Sequence, residues 1–346
     1  MPTIPCNKAT ALSADAEPIA RVEPGRPFTV ETLNAYGARF TNLVEFLTLL
    51  NNKSGTHHPL TGPLEVAGAR TGEALRVRVR AIRPQEMAQS LSKSAGAEPL
   101  RNPLFGDRAP VLGALRKEGG RIAGVEYGTL QLPYRPMLGI VGTAPAEGKI
   151  KTGHGGRTGG NLDLPLLGEG STVYLPVERE GAWLYLGDAH ALQAYGELGG
   201  IALECSAEVE LEVARCTPDA GWREQDPYLE APAAPPILIA GPEPLSGQRG
   251  IGLVGISPEL GRLDLAVVAA YRAAVHFVRL ICPRASWGAA RNLVTLLGHS
   301  LNGQAAALTA ESTSMVFFPE AALGQLFRAT ADVLEEILAG LFPEVP

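Results

Sequence analysis

Residues 171–193 read STVYLPVEREGAWLYLGDAHALQ. Two apolar runs, Ser171–Val177 and Ala182–Leu186, carry β-branched and aromatic residues and flank the polar segment Glu178–Gly181. That pattern predicts a β-hairpin. Both neighbouring regions show the same texture. Upstream, Leu75, Val77 and Val79 alternate with Arg76, Arg78 and Arg80; downstream, Ala207, Val209, Leu211 and Val213 alternate with Glu208, Glu210 and Glu212. A period of two puts one set of side chains on a buried face and the other in solvent. The fold class read from this texture is mainly β.

Further out, residues 28–147 read as short strands and turns, with Leu64–Val66, Gly68 and Gly72 as a strand, a turn and the start of a return strand. Thr41–Leu50 is the exception, with apolar residues at helical spacing and Asn42 and Glu45 placed as a capping box. Segment 85–120 is polar and aperiodic, which predicts a surface excursion or flap. Pro236–Ala240 reads as a strand closed by Gly241–Pro242. From Gly250 the pattern changes. Apolar residues at 263, 267, 268, 271, 275, 278 and 281 predict a helix, Ser286 caps a second, Ser312–Phe318 reads as a strand, and Pro319 opens a final helix ending near Gly340. The expected organisation is an N-terminal β-rich portion (1–135), a central β-rich portion (136–249) and a smaller C-terminal α/β portion (250–346), the β parts sandwich- or barrel-like.

The 346 residues are 45% hydrophobic and 19% charged, which excludes a disordered chain, while 40 Gly and 28 Pro fit many turns. A net charge of −6 without a concentrated basic run argues against nucleic acid as a partner. Cys6, Cys205, Cys216 and Cys282 are widely spaced and form no CxxC pair, so neither a disulfide framework nor a zinc finger is expected. The N-terminal residues lack an apolar secretory core, and the most apolar stretch, Leu263–Cys282, is interrupted by charge. The expectation is a cytoplasmic protein without a membrane partner.

Potential chemistry concentrates between Gly153 and Glu204. Asn161 and Asp163 follow two glycines; then come Asp188 and His190, Gln193 and Glu197. If the strand runs on through residue 190, Asp188 and His190 project from one face at i, i+2. A carboxylate and an imidazole converging there suit a divalent ion such as zinc, with Glu197 as a further ligand or as the base. The competing reading is a polar turn. His57–His58 reads as a surface turn, His154 as a loop residue between glycines, His276 and His299 as helix residues, and Cys205 as a small core residue. A nucleophile elbow, a P-loop and a dinucleotide fingerprint are all absent from the sequence.

His58–Pro63 with Gly68–Ala69, Gly139–Gly142 with Ala144–Pro145, Gly160–Asp163, and Gly187–Ala191 with Gln193 and Gly196–Glu197 resemble, in order, the motifs of the acetamidase/formamidase family. The resemblance covers roughly residues 30–285. It implies a mainly β fold and metal-assisted hydrolysis of a small or aryl-alkyl amide to a carboxylic acid and ammonia. Carried over, Asp163, Asp188, His190 and Glu197 become metal-site residues, with Glu197, Asp163 and Asn161 also catalytic, Asn161 orienting substrate or ligand. The metal expected is zinc, with calcium as the alternative; Zn²⁺ lowers the pKa of its bound water to about 7. Three positions depart from the family pattern. Tyr195 stands where an acidic residue is usual, Ala189 where glycine is common, and the tail past 285 lacks the family's usual helix-and-strand motif. Two other functions stay open: a lactam hydrolase on the same site, and a catalytically silent ligand-binding member. A homo-oligomer is expected, since the apolar C-terminal helices offer surface to bury.

Overall fold

The computed structural model describes residues 2–39, 41–52, 58–84, 87–91, 110–118, 121–127, 129–195, 201–223, 236–244, 246–257, 262–300, 313–327 and 332–345. The chain is mostly β, in two large sheets. One has seven antiparallel strands in the order Thr313–Pro319, Arg249–Ile256, Leu238–Pro242, Thr172–Pro176, Ala74–Pro84, Ala207–Cys216 and Phe28–Thr32. The other has eleven strands around Met137–Thr143, which pairs with Gly159–Asn161 on one side and Leu184–Leu192 on the other. Leu184–Leu192 also pairs with Leu60–Val66 and with Leu203–Glu204. Strands from the early, middle and late parts of the chain are thus interleaved.

The alternation read from sequence sets the layers. Leu75, Val77, Val79, Val209, Leu211 and Val213 pack against Leu64, Val66, Leu138, Val141, Leu184 and Leu186 in one core between the sheets. Each such side chain contributes about 1.5–3 kcal/mol by leaving water. Outward-facing Arg80 pairs with Glu210 at 3.0 Å and Glu212 at 2.9 Å, and Arg83 with Glu210 at 2.6 Å. Exposed pairs of this kind add little stability.

Two expected strand pairings are not formed. Thr172–Pro176 lies in the seven-stranded sheet and Leu184–Leu192 in the eleven-stranded sheet, so residues 171–186 are a crossover and not a hairpin. Likewise Leu60–Val66 and Ala74–Pro84 belong to different sheets. The two crossovers run side by side and bond to each other: Val66 N–H to Gly181 O, Gly181 N–H to Ala69 O, Gly72 N–H to Val177 O and Val177 N–H to Glu73 O, all 2.8–2.9 Å. Those bonds satisfy backbone groups that a hairpin ladder would otherwise have paired. An apolar run buried on both faces carries no sequence mark saying whether its successor lies beside it or opposite it.

The far face of the seven-stranded sheet carries the C-terminal helices. Helix Leu263–Ile281 falls where expected and buries Val275 and Val278 of the expected face, but its N-terminal half is turned differently. Val267 and Val268 are exposed, while Ala266, Ala270, Ala273, Ala274 and Phe277 are buried. The reason is close approach: a Cβ on Gly255 of the underlying strand would lie 2.1 Å from Ala270 N and 2.3 Å from Ala266 O. Only small residues allow this backbone-to-backbone contact. Ser286 caps helix Trp287–Ser300 through Ala289 N–H at 3.1 Å. Asn42 caps Leu43–Asn52 through Glu45 N–H at 3.0 Å, with Thr41 N–H donating to Glu45 in return. The tail holds two described helices, Glu320–Phe327 and Val333–Leu341. The expected excursion at 85–120 contains the strands Ala88–Leu91 and Pro110–Glu118, the latter followed by Arg121–Tyr127; residues 92–109 lie outside the described part. No described helix is long and apolar enough to cross a membrane.

Gly255→Val is expected to destabilise by about 1–3 kcal/mol or more, read as a lower urea midpoint. A second test uses Glu73, at the mutually bonded crossovers. Burial pushes its carboxyl up, but hydrogen bonds of 2.7 and 3.0 Å from Arg215, the Arg70 N–H at 3.0 Å and the charges of both arginines together outweigh burial and hold it below its usual value. A depressed folded pKa adds stability above the unfolded pKa, and that stability is lost as pH falls through the folded value. Glu73→Gln should therefore melt below wild type at neutral pH and converge on it in acid.

Candidate metal centre and active site

On strand Leu184–Leu192, Ala189 and Ala191 point into the inter-sheet core. Asp188 and His190 take the opposite face: Leu184 and Leu186 also face that core, so the alternation resets at the left-handed Asp188 and then runs with period two to Ala191. Asp163 joins them from the loop after strand Gly159–Asn161, and ligand atoms of Asp163, Asp188 and His190 all lie within 4.8 Å of one another. The three are 4%, 1% and 1% exposed.

The backbone is bent to achieve this. Asp163 (φ 47°), Asp188 (φ 58°) and His58 (φ 49°) are left-handed non-glycine residues. Such conformations cost roughly 1–3 kcal/mol each and gather at functional sites. Gly139 makes room for the turn. Its carbonyl accepts Leu162 N–H at 2.8 Å and Asp163 N–H at 3.1 Å, and a Cβ there would lie 2.8 Å from Asp163 Oδ1 and 2.9 Å from Asp188 Oδ2.

A side-chain chain orients the imidazole. Gln193 Nε2 donates to Asp163 O at 2.8 Å, leaving Gln193 Oε1 to accept from His190 Nδ1 at 2.7 Å. With its proton fixed on Nδ1, His190 turns Nε2 toward the carboxylates, 3.6 Å from Asp188 Oδ2 and 3.4 Å from Glu204 Oε2. Asn161 Nδ2 donates to Asp163 Oδ2 at 2.8 Å, and its Oδ1 is buried without a hydrogen bond among the described residues. His58 Nδ1 lies 3.0 Å from Asp188 Oδ2.

The field inside is strongly negative. Burial pulls the His190 pKa down, yet Glu204, Asp188 and Asp163 together hold it well above its usual value. Burial pushes Asp188 up, but His58 and His190 hold it well below the carboxylate range. A site that stabilises positive charge this strongly fits a cation. Asp188 Oδ1 and His190 Nε2, both buried and without a hydrogen bond among the described residues, are oxygen and nitrogen donors of the kind a divalent metal takes.

Of the expected residues, Asp163, Asp188 and His190 come together, Asn161 orients one of them, and Glu197 lies outside the described residues. His58, read as part of a surface turn, touches the cluster instead. Glu204 was not singled out: in a continuous strand it would share the solvent side with Glu208, but the chain changes sheets between Glu204 and Ala207 and delivers it to His190. Cys205 is a core residue as expected. Burial, with the Glu204 and Asp188 charges, pushes its thiol far above the usual range and leaves it a poor nucleophile. Ala189 adds its methyl to the core, away from the site. Tyr195 packs against the same core, and burial with the nearby Glu243 raises its phenol, so it brings no negative charge to the cluster.

The acetamidase/formamidase family's sequence model matches residues 11–152 and 146–236. The chain belongs to the acetamidase/formamidase family. A Schizosaccharomyces pombe protein assigned by name to formamidase is 24% identical over 270 residues, which are 62% of this chain and 66% of that protein. The chain thus spans just under two thirds of that relative's length. Two solved structures of the family's fold are similar: a protein of Thermoanaerobacter tengcongensis predicted as an acetamidase/formamidase (TM-score 0.72, 23% identity, 93% of this chain and 97% of that one) and an acetamidase of Bacillus halodurans (0.70, 24%, 93% and 99%). At this identity they show the fold alone.

Gly139→Ala is expected to give a folded protein whose carboxylates are displaced. Loaded with a divalent ion and dialysed alongside wild type, it should retain much less of that ion, measured by mass spectrometry.

Proposed function

We propose that the chain hydrolyses the C–N bond of a small linear amide, releasing a carboxylic acid and ammonia, at a site that holds a divalent ion. The observation that carries this reading is the buried Asp163/Asp188/His190 cluster, with His190 Nε2 aimed into it by Gln193. Family membership supplies the substrate class.

Asp163, Asp188 and His190 would hold the ion, with Glu197 as a further ligand or as the base. Two carboxylates and one imidazole favour zinc, and calcium is the alternative. When bound, the ion supplies a positive charge that polarises the amide carbonyl. The remaining steps fall to the chain. Asn161 Oδ1 accepts an N–H of the substrate amide and so fixes which face of its carbonyl is attacked. Burial of the cluster excludes bulk water, which strengthens these contacts. Water oxygen bonds to the carbonyl carbon, the C–N bond breaks, and a carboxylate of the site passes water's proton to the departing nitrogen.

Ammonia release from formamide and acetamide should vanish after chelation and return with zinc. His190→Ala should lose activity by about 100-fold or more, since a charge contribution of several kcal/mol is removed. Full activity together with full metal content in that variant would overturn the assignment.

A further inference from the structure

Beside the cluster, on the same outer face of the larger sheet, lies a cavity of about 710 Å³. That is the size of pockets that take drug-sized ligands and far exceeds the needs of formamide or acetamide. It meets the site at two points. His58 lines the cavity and hydrogen-bonds to Asp188 at 3.0 Å; His154 also lines it, and its carbonyl accepts Asn161 N–H at 3.0 Å.

The wall has a definite charge. Strand Lys149–Lys151 pairs with Ala11–Ser13, Lys151 opposite Ala11 and Lys149 opposite Ser13. By strand alternation Ile150 turns inward to Leu12, and both lysines turn to the side where Ala11 and Ser13 line the cavity. Neither lysine has an ion-pair partner among the described residues, and Glu17 is the one carboxylate among the described lining residues. His154 Nδ1 is buried there with no hydrogen-bond partner among the described residues. Tyr185 on the cavity wall is three strand residues from Asp188, roughly 10 Å at the usual rise.

We infer that this cavity is a specificity subsite for the far end of the substrate, and that Lys149 and Lys151 select amides carrying a remote carboxylate. The inference rests on the proposed amide hydrolysis and names its substrate class: ω-carboxy amides whose anionic group sits several bonds from the scissile C–N bond, in preference to neutral amides of equal length.

The test compares kcat/KM for adipamate and for neutral hexanamide, in wild type and in the doubly substituted Lys149→Ala, Lys151→Ala protein, with thermal melting as the check on folding. In wild type the carboxy amide should be preferred, and the preference should shrink as salt is added. In the double variant the adipamate-to-hexanamide ratio should fall about tenfold or more. A wild-type ratio below one, or a ratio the substitutions leave unchanged, overturns the subsite while leaving amide hydrolysis standing. If neither amide is hydrolysed, hydrolysis of this substrate class fails, and calorimetric binding of adipate decides the subsite independently. Adipate binding that the substitutions weaken about tenfold supports it; equal binding in both proteins, or none in wild type, overturns it.

Discussion

Acidic side chains and an imidazole buried within 4.8 Å of one another set the terms for the rest of the molecule. Charges removed from water are costly unless paired, hydrogen-bonded or neutralised by a cation. The sandwich supports that cost in three ways. Rigid strands on both sides of Leu184–Leu192 keep Asp188 and His190 from relaxing outward. Gly139 gives up its side chain so that two carboxylates approach its backbone. Gln193 ties His190 to the Asp163 carbonyl, so the ring cannot rotate away.

Much of this was legible in the chain. Alternation at 75–80 and 207–213 gave the strands and their buried faces, because period two leaves a direct imprint on residue type. Asn161, Asp163, Asp188 and His190 stood out as titratable and amide groups flanked by glycines. The contributions of His58 and Glu204 were hidden, each for a topological reason. His58 reaches Asp188 across 130 residues of chain through a turn that looks like surface. Glu204 is re-aimed by a change of sheet that leaves no mark on the alternation. The hairpin expected at 171–186 failed for the same cause: local pattern defines a strand but not its neighbour. The helix at 263–281 was visible, yet Val267 and Val268 face outward while Ala266 and Ala270 face the sheet. Closeness to Gly255 mattered more there than apolar area.

Functional groups and mechanical layers are kept apart in this arrangement. The C-terminal helices pack on the far face of the seven-stranded sheet, separated from the acid–imidazole cluster by that sheet and the inter-sheet core. Among the described residues a link across the gap runs from Thr313 Oγ1 on the edge strand to the Asn161 carbonyl at 3.5 Å. The tail past residue 285 can therefore depart from the family pattern while the acid–imidazole cluster keeps its geometry.

The left-handed backbone at His58, Asp163 and Asp188 has a consequence for how such sites age. Few residue types tolerate that region; glycine, asparagine, aspartate and histidine do so most readily. Drift at these positions is thus channelled into a narrow alphabet whatever becomes of the chemistry. A lineage that lost hydrolysis would go on spelling nearly the same motif for as long as it kept the fold. In this scaffold, the letters that look catalytic are partly a record of steric necessity, and at Asp163 or Asp188 the exchange of a carboxylate oxygen for an amide nitrogen removes the charge without adding backbone strain.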